Sequence, residues 1–213
     1  MGLGPGDESA PRGEARERST RVLSIQSSVV SGYVGNKSAV FPLQTLGIEV
    51  DFINSVQFSN HTGYPSWTGE AIDGPQLKEL VRGLKDNNLI KHTHLLTGYM
   101  RSPTMLRAVI DTLRLLREKN PDCIYVCDPV MGDNGALYVP EELVPIYRDQ
   151  VIPHASVLTP NQFEAETLTG LKIDSDADAV VVMDKLHAMG VKVVVITSCV
   201  YGEPDTITLV ASR

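Results

Sequence analysis

The sequence is poor in cysteine and has no long apolar run. Its three cysteines, Cys123, Cys127 and Cys199, include no CxxC pair and are odd in number. This excludes a disulfide framework and favours a reducing, cytoplasmic compartment. Cys123 and Cys127 lie in an apolar stretch, so we expect both to be buried as small hydrophobic side chains. No apolar run reaches the length of a membrane span, so we expect no membrane partner.

Positive charge is scarce as well. The formal net charge of the 213 residues is −7, which argues against a nucleic-acid partner because the phosphate backbone binds basic patches. A small anionic ligand stays possible, since helix N-termini bind phosphate without net positive charge. Residues 1–20 carry no hydrophobic core of a secretory signal. We interpret them as a disordered tail, and residues 21–213 as one domain.

Short apolar runs alternate with amphipathic segments from Arg21 onward. The segments predicted as strands are RVLSIQS (21–27), IEVDFIN (48–54), HTHLLTG (92–98), CIYVCDP (123–129), ASVLT (155–159) and VKVVVITS (191–198). Capping signals predict helices after Asp73 with Gln76, after Ser102-Pro103, and after Ser175 with Asp178. This alternation predicts an α/β fold with a mostly parallel sheet, and ligands beyond the carboxyl ends of its strands.

Polar residues follow most of these strands, where such a ligand site would lie. They are Ser27, residues 54–64, residues 97–99, Asp128, residues 159–161 and residues 197–198. One pair lies at a strand start instead. His92 and His94 have no third ligand near them in sequence, which favours a solvated pair over a metal site.

The segment TPNQFEAETLTG, residues 159–170, has the capping signals of a helix start. Thr159 is the predicted N-cap, Pro160 the first helical residue and Gln162 the capping-box partner, with Gly170 at the far end. Asn161 and Glu164 have no role in this predicted capping pattern, and we interpret them as candidates for ligand binding.

The segment SGYVGNKSAVF, residues 31–41, has some likeness to a phosphate-binding P-loop. A P-loop requires Gly directly before Lys, whereas Asn36 stands between Gly35 and Lys37. We therefore reject that interpretation. Gly32 and Gly35 are predicted to allow a tight turn from strand to helix beside a ligand.

Six segments taken together and in order resemble the pyridoxal kinases of the ribokinase-like superfamily. They are SIQSSVVSGYVGN (24–36), NSVQFSNHTGY (54–64), LLTGY (95–99), VCDPVMGDNGALYVP (126–140), LTPNQFEAE (158–166) and VITS (195–198). The resemblance implies a three-layer αβα fold with a mostly parallel central sheet, incomplete at the C-terminus, and a homodimer. It also implies transfer of the γ-phosphoryl group of ATP to the 5′-hydroxyl of pyridoxal, pyridoxine or pyridoxamine, giving pyridoxal 5′-phosphate from pyridoxal.

The resemblance also assigns candidate site residues. Those implied to bind the substrate are Ser27, Val34, Asn60, His61, Thr62 and Tyr99. Those implied to bind ATP are Asp128, Asn161, Thr197 and Ser198. Those implied to hold Mg²⁺ or Zn²⁺ and a monovalent cation, K⁺ or Na⁺, are Asp128, Asp133, Thr159, Glu164 and Thr197. Oxygen ligands suit such hard ions, although Asp133 in GDNG also fits a turn.

The family's catalytic element is a Gly-Thr-Gly-Asp sequence that supplies the base toward the substrate hydroxyl. The printed chain ends at DTITLVASR, residues 205–213, so we expect this Asp beyond Arg213 and little kinase activity from residues 1–213. Two alternatives stay open. One is a non-catalytic B6-binding or regulatory form that pairs with an intact subunit. The other is a hydroxymethylpyrimidine kinase, since CDPVMGD (127–133) is shared with that group.

Overall fold

The computed structural model describes residues 20–202 and 205–213, and its centre is an eight-stranded sheet. The sheet has the order β10-β9-β8-β5-β4-β1-β2-β3. Its strands are β1 Arg21–Val29, β2 Glu49–Phe58, β3 Gly69–Ala71, β4 His94–Thr97, β5 Ile124–Cys127, β8 Val157–Leu158, β9 Val193–Cys199 and β10 Thr208–Ser212. The predicted tail at residues 1–20 lies outside the described residues apart from Thr20.

The six central strands pair in parallel, and only the edge strands β3 and β10 are antiparallel to their neighbours. A separate two-stranded ribbon joins β6 (Gly132–Asp133) to β7 (Ala136–Leu137). Asn134 and Gly135 both have positive φ at the ribbon's tip, as a two-residue hairpin turn requires. With helices on both sides of the sheet, the arrangement confirms the predicted α/β class and all six predicted strands.

Six α-helices connect the strands within residues 20–202 and 205–213. They are α1 Asn36–Thr45, α2 Gly74–Asp86, α3 Pro103–Lys119, α4 Leu143–Ile146, α5 Gln162–Thr169 and α6 Asp176–Ala188. The predicted N-caps Asp73, Ser102 and Ser175 each accept a hydrogen bond from the backbone N–H three residues later. Asp73 and Gln76 form the complete capping box. Within the described residues, no helix combines the length and the apolar character that a membrane span requires.

The core lies between the sheet and the apolar faces of these helices. Helix α3 contributes most, because its buried residues repeat at helical spacing; they are Met105, Leu106, Ala108, Val109, Ile110, Thr112, Leu113 and Leu116. Burial of each large apolar side chain among them stabilises the fold by about 1.5–3 kcal/mol. Cys123, Cys127 and Cys199 are free and buried, which confirms the expectation for the first two and agrees with the exclusion of a disulfide framework.

The predicted start of α5 is wrong by two residues. Asn161, not Thr159, is the N-cap, and its side chain accepts a hydrogen bond from Glu164 N at 2.8 Å. Glu164, not Gln162, completes the capping box by accepting from Asn161 N at 2.9 Å. Thr159 still belongs to the sheet, since its N–H donates to Cys127 O. The end of the helix at Gly170 is confirmed, with a left-handed φ of 70°.

The second strand runs further than its sequence pattern predicts. Residues 55–58 continue β2, and the side chains of Ser55, Val56 and Phe58 are buried. A register shift between Gln26 and Ser28 on the neighbouring β1 accommodates this extension. The extension was missed because its polar residues interrupt the alternation of apolar and polar side chains that marks a strand.

The prediction of a solvated histidine pair is wrong for His92, which is buried just before β4. Its Nε2 lies 2.8 Å from Asp51 Oδ2, and the Arg21 guanidinium also bonds the Asp51 carboxylate, at 2.8 and 3.2 Å. We call Arg21, Asp51 and His92 the amino-end cluster. The hydrogen bond from Arg21 lowers the pKa of Asp51, and burial lowers the pKa of His92. His92 is therefore neutral at pH 7.

Candidate active site

A pocket of about 690 Å³ opens at the carboxyl ends of β1, β2, β4 and β5. We call it the apolar pocket. The residues predicted to bind the substrate that line it are Ser27, Val34, His61, Thr62 and Tyr99. Val29, Val56 and Phe58 add apolar wall. Such a pocket accepts a flat aromatic ring whose polar edge meets a few hydroxyl and imidazole groups.

Asn60 differs from the other predicted substrate residues because it does not line this pocket. Its side chain amide donates to Ser66 O at 3.0 Å and to His61 O at 3.3 Å, and its Oδ1 accepts from Ser59 Oγ at 2.6 Å. The structure thus engages Asn60 in bonds within its own loop.

Ser27 is held in the pocket wall by a close backbone contact. Gly35 has a φ of +45°, and a Cβ placed there would lie 2.6 Å from Ser27 Oγ. Only glycine fits this left-handed position against the strand. The tight turn predicted from Gly35 is therefore present, and it stands beside the residue predicted to bind the substrate ring.

A buried polar network below Ser27 was missed by the sequence analysis. Asn36, which is 2% exposed, donates to Gln26 O, Ile53 O and Asn54 Oδ1, and accepts from Ser24 Oγ at 2.7 Å. The same Asn36 that breaks the P-loop pattern therefore ties α1 to β1 and β2. An Asn beside a Gly-rich turn was the one available signal, because buried amides need several partners.

A smaller pocket of about 300 Å³ adjoins the first, and we call it the polar pocket. Its walls include five residues predicted to bind metal, namely Asp128, Asp133, Thr159, Glu164 and Thr197. Asn161 also lines it, whereas Ser198 lines neither pocket. The two pockets share Asp128, Val130 and Tyr138. A ligand in one pocket would therefore meet a ligand in the other at Asp128.

Asp128 follows β5 directly and stands at this junction. Burial raises the pKa of its carboxyl group to about 6. Among the described residues, no side chain or backbone group hydrogen-bonds to this carboxylate. A buried carboxylate without a partner is costly in the charged form. It is therefore suited to receive a cation or a proton.

Glu164 is 3% exposed and is bound by backbone groups. Its Oε1 accepts from Met131 N at 2.9 Å and from Gly132 N at 3.5 Å, while Oε2 accepts from Asn161 N at 2.9 Å. Burial raises the pKa of Glu164 to about 7, against these hydrogen bonds. Glu164 therefore fastens the segment before the β6–β7 ribbon to the start of α5.

Asn161 and Asp133 also have structural partners. The Asn161 amide donates to Gly132 O at 2.8 Å, in addition to its capping bond. The Asp133 carboxylate accepts from Asn134 N at 2.7 Å and from Asn134 Nδ2 at 3.2 Å, so the turn interpretation of Asp133 describes its local contacts. Both side chains still border the polar pocket.

The chain is similar to known kinases. Residues 84–211 match the family model described as phosphomethylpyrimidine kinase. A pyridoxal kinase of Arabidopsis thaliana is 60% identical over 182 residues, which are 85% of this chain and 59% of the relative. The solved pyridoxal kinase of Leishmania donovani, in complex with ADP and pyridoxine, superimposes with a TM-score of 0.86 at 40% identity, covering 90% of this chain and 66% of that one.

A second solved structure, the pyridoxal kinase of Entamoeba histolytica, has a TM-score of 0.84 at 31% identity. The match covers 91% of this chain and 68% of that one. The chain therefore belongs to the pyridoxal kinase family. It spans about 59% of the length of the Arabidopsis relative.

Proposed function

We propose that this chain forms the vitamin- and nucleotide-binding part of a kinase that phosphorylates the 5′-hydroxyl of pyridoxal with ATP, in vitamin B6 salvage. The observation that carries the proposal is the junction of the two pockets at Asp128. Phosphoryl transfer requires that the acceptor and the phosphates meet in one line, with charge neutralised around them. The Leishmania relative, which was solved with ADP and pyridoxine, supports both ligands.

The proposed roles follow the pocket walls. Ser27 and Thr62 supply hydroxyl groups to the pyridine ring, while Val34 and Tyr99 pack beside it. Asn161, Thr159 and Thr197 border the phosphates in the polar pocket, and Ser198 follows along the nucleotide. Asn60 acts indirectly in this proposal, by shaping the loop that carries His61 and Thr62.

The donor groups of the polar pocket fit Mg²⁺. They are oxygen atoms, and the described residues contain no group of three His, Cys, Asp or Glu side chains arranged to hold a metal. Mg²⁺ commonly binds one or two carboxylates plus waters and phosphates, whereas Zn²⁺ favours His and Cys. Asp128 is the free carboxylate for this role. Bound Mg²⁺ would neutralise phosphate charge, and K⁺ or Na⁺ would bind beside Thr159.

We expect a polypeptide of residues 1–213 to bind both ligands but to turn over slowly. A general base contributes about 10²–10⁴-fold to the rate of such reactions, and the resemblance puts that base outside these residues. Isothermal calorimetry should give heat with pyridoxal and with Mg-ATP. A kinase assay should show turnover at least about 100-fold below that of the Arabidopsis relative.

Two results would contradict this account. Turnover equal to that of the relative would show that the base lies within residues 1–213. No heat with either ligand would remove the small-molecule role, leaving the regulatory alternative. The match to the phosphomethylpyrimidine kinase family model supports hydroxymethylpyrimidine as a second candidate substrate. The assay should therefore include it as a competitor. Preference for that alcohol would favour the second candidate.

We also propose that the chain forms a homodimer in the cytoplasm. Large apolar side chains lie exposed between the end of β1 and the middle of β2; they are Val30, Tyr33, Phe41, Leu46 and Phe52. Clusters of exposed apolar side chains are typical of interfaces. Phe41→Asp should convert a dimer to a monomer in analytical ultracentrifugation, whereas Val181→Asp, at an exposed position of α6, should not. Equal sedimentation of both variants would contradict this interface.

A further inference from the structure

The loop from Ser59 to Thr68 forms one wall of the apolar pocket and is almost unattached to the rest of the fold. We call residues 59–68 the pocket loop. Its members His61, Thr62 and Gly63 line the pocket. Every residue from His61 to Thr68 is exposed. A loop so exposed needs specific contacts to keep a fixed position over a pocket.

The hydrogen bonds of the pocket loop are mostly internal. Ser59 and Thr68 close its base through Ser59 N to Thr68 O at 2.8 Å, and Asn60 bonds Ser66 O across it. Ser59 O accepts from Ser31 N, which anchors the base of the loop. For residues 60–67, no hydrogen bond among those of the described residues leaves the loop. Beyond its base, the loop is therefore held against the fold by side-chain packing.

That packing joins two aromatic rings, tilted by 37° to each other, and one cation. The ring of Trp67 lies 4.5 Å from that of Phe58, which is buried and lines the apolar pocket. The Arg101 guanidinium lies 5.3 Å from the Trp67 ring centroid and 6.0 Å from that of Phe58. Within the described residues, no carboxylate pairs with Arg101. The guanidinium is thus available to contact the two rings.

The position of Arg101 in the chain connects this packing to the apolar pocket. Arg101 comes two residues after Tyr99, which lines the pocket and whose backbone carbonyl accepts a hydrogen bond from Ser55 Oγ of β2 at 2.8 Å. Met100 between them is buried, so the backbone at this point is fixed. Arg101 therefore connects the segment after β4 to Trp67, which lies beside the base of the pocket loop.

We propose that Arg101 is a positioning residue, which holds the pocket loop over bound substrate by stacking on Trp67 and Phe58. The inference rests on the proposed function, because it assigns the substrate of the apolar pocket as a pyridoxal-type ring. Arg101 touches no reacting atom. It limits the positions that His61 and Thr62 can take, and so it affects the affinity for the ring.

The chain carries its own reporter for this contact. Trp67 is the single tryptophan of the sequence. Its fluorescence therefore reports on the pocket loop alone, with or without a ligand. At 37% exposure it is partly shielded, so both an increase and a decrease in shielding are measurable.

The experiment compares four proteins of residues 1–213: wild type, Arg101→Met, Arg101→Lys and Arg107→Met. Met keeps an apolar stem and removes the charge, and Lys keeps the charge without the planar group. Arg107 is an exposed arginine of α3, and neither a hydrogen bond nor an ion pair of its side chain occurs among the described residues. It is the matched control. Acrylamide quenching of Trp67 and pyridoxal titration are measured on all four.

We expect Trp67 of Arg101→Met to be quenched about two- to fivefold more readily, with pyridoxal affinity lower by a similar factor, which is the size of an exposed cation–π contact. Arg101→Lys should fall between that variant and wild type, and Arg107→Met should equal wild type. Circular dichroism confirms that all four are folded.

Unchanged quenching in Arg101→Met would overturn the stacking role. Increased quenching with unchanged pyridoxal affinity would overturn the role in substrate positioning. If wild type binds no pyridoxal, the proposed function fails, and with it the role in substrate positioning. The quenching series would still decide whether Arg101 holds the loop.

Discussion

The two ends of the central sheet both carry partly or fully buried ionisable groups, but they treat them differently. At the amino ends, Asp51 is bonded by Arg21 and His92, so each charge has a partner. At the carboxyl ends, burial raises the pKa of Asp128 to about 6, and its carboxylate has no hydrogen-bond partner among the described residues. Burying a charged group is unfavourable in free energy at either end. The paired end has a structural role, and the unpaired end is where a ligand would supply the missing charge.

The largest expected effect comes from breaking the paired end. Asp51→Ala leaves the buried His92 Nε2 and the Arg21 guanidinium without their acceptor. We expect the free energy of unfolding to fall by about 2–3 kcal/mol, less than for a fully buried pair because Asp51 and Arg21 are partly exposed. Urea denaturation at pH 7.5 measures it. Glu49→Ala, at the exposed rim of the same cluster, is the control. Equal midpoints for the two variants would contradict the pairing argument.

The next effect concerns pH. The folded pKa of Glu164 is about 7, above its unfolded value, so the folded state binds more protons between about pH 4.5 and 7. Stability due to Glu164 is present below pH 4.5 and is lost as pH rises through about 7. Between pH 5 and 8, wild type should lose about 2 kcal/mol more than Glu164→Gln, measured by denaturation at each pH. Parallel curves would show that the carboxyl group is not buried as described.

The amino end has the opposite sign. Burial lowers the folded pKa of His92, so the unfolded state binds the extra proton and stability is lost as pH falls below about 6.5. His92→Gln should remove this acid-side loss and leave the loss above pH 5 that Glu164 causes. A His92→Gln curve with the wild-type acid limb would contradict the assignment.

A smaller effect tests the unpaired end directly. Asp128→Asn removes a charge that is costly at pH 7.5, so we expect a gain of about 1 kcal/mol in the free energy of unfolding. The same variant should lose Mg-ATP binding in calorimetry, because Asn carries no charge for the cation. Stability and binding would thus move in opposite directions. A loss of both would place Asp128 with the structural groups.

The smallest effect is expected on the surface. Lys78 and Asp111 form an ion pair of 2.6 Å between α2 and α3, with both side chains about half exposed. Such pairs contribute about 0–1 kcal/mol, so Lys78→Ala should change the free energy of unfolding by less than about 0.5 kcal/mol. Adding 0.5 M NaCl should shrink this difference further. A change as large as that of Asp51→Ala would erase the distinction between exposed and partly buried pairs.

Much of the fold followed from local patterns, and the failures have specific causes. The six strands and the caps at Asp73, Ser102 and Ser175 were predicted because apolar period and capping chemistry act over a few residues. The cap of α5 was misplaced because Thr159 is still bonded to β5, a contact between residues far apart in sequence. The burial of His92 was missed for the same reason, since its partner Asp51 lies 41 residues away.

The candidate site divides in the same way. The order of motifs identified the family and most residues that line the two pockets, because each motif follows a strand whose end the sheet brings to one edge. The Asn36 network, the bonding of Glu164 to Met131 and Gly132, and the stack of Arg101 on Trp67 were not predicted. Each joins residues ten or more positions apart.

The sequence by itself determined the α/β class, the strand ends that carry polar residues, and the family. Only the tertiary structure decided which of those polar groups have partners. Glu164 is buried and joins the segment before the β6–β7 ribbon to the start of α5, whereas Asp128 is an unpaired carboxylate, although both were equal candidates in the sequence. The reason is that local propensity acts along the chain, whereas the cost of burying a charge is set by neighbours that only the folded packing supplies.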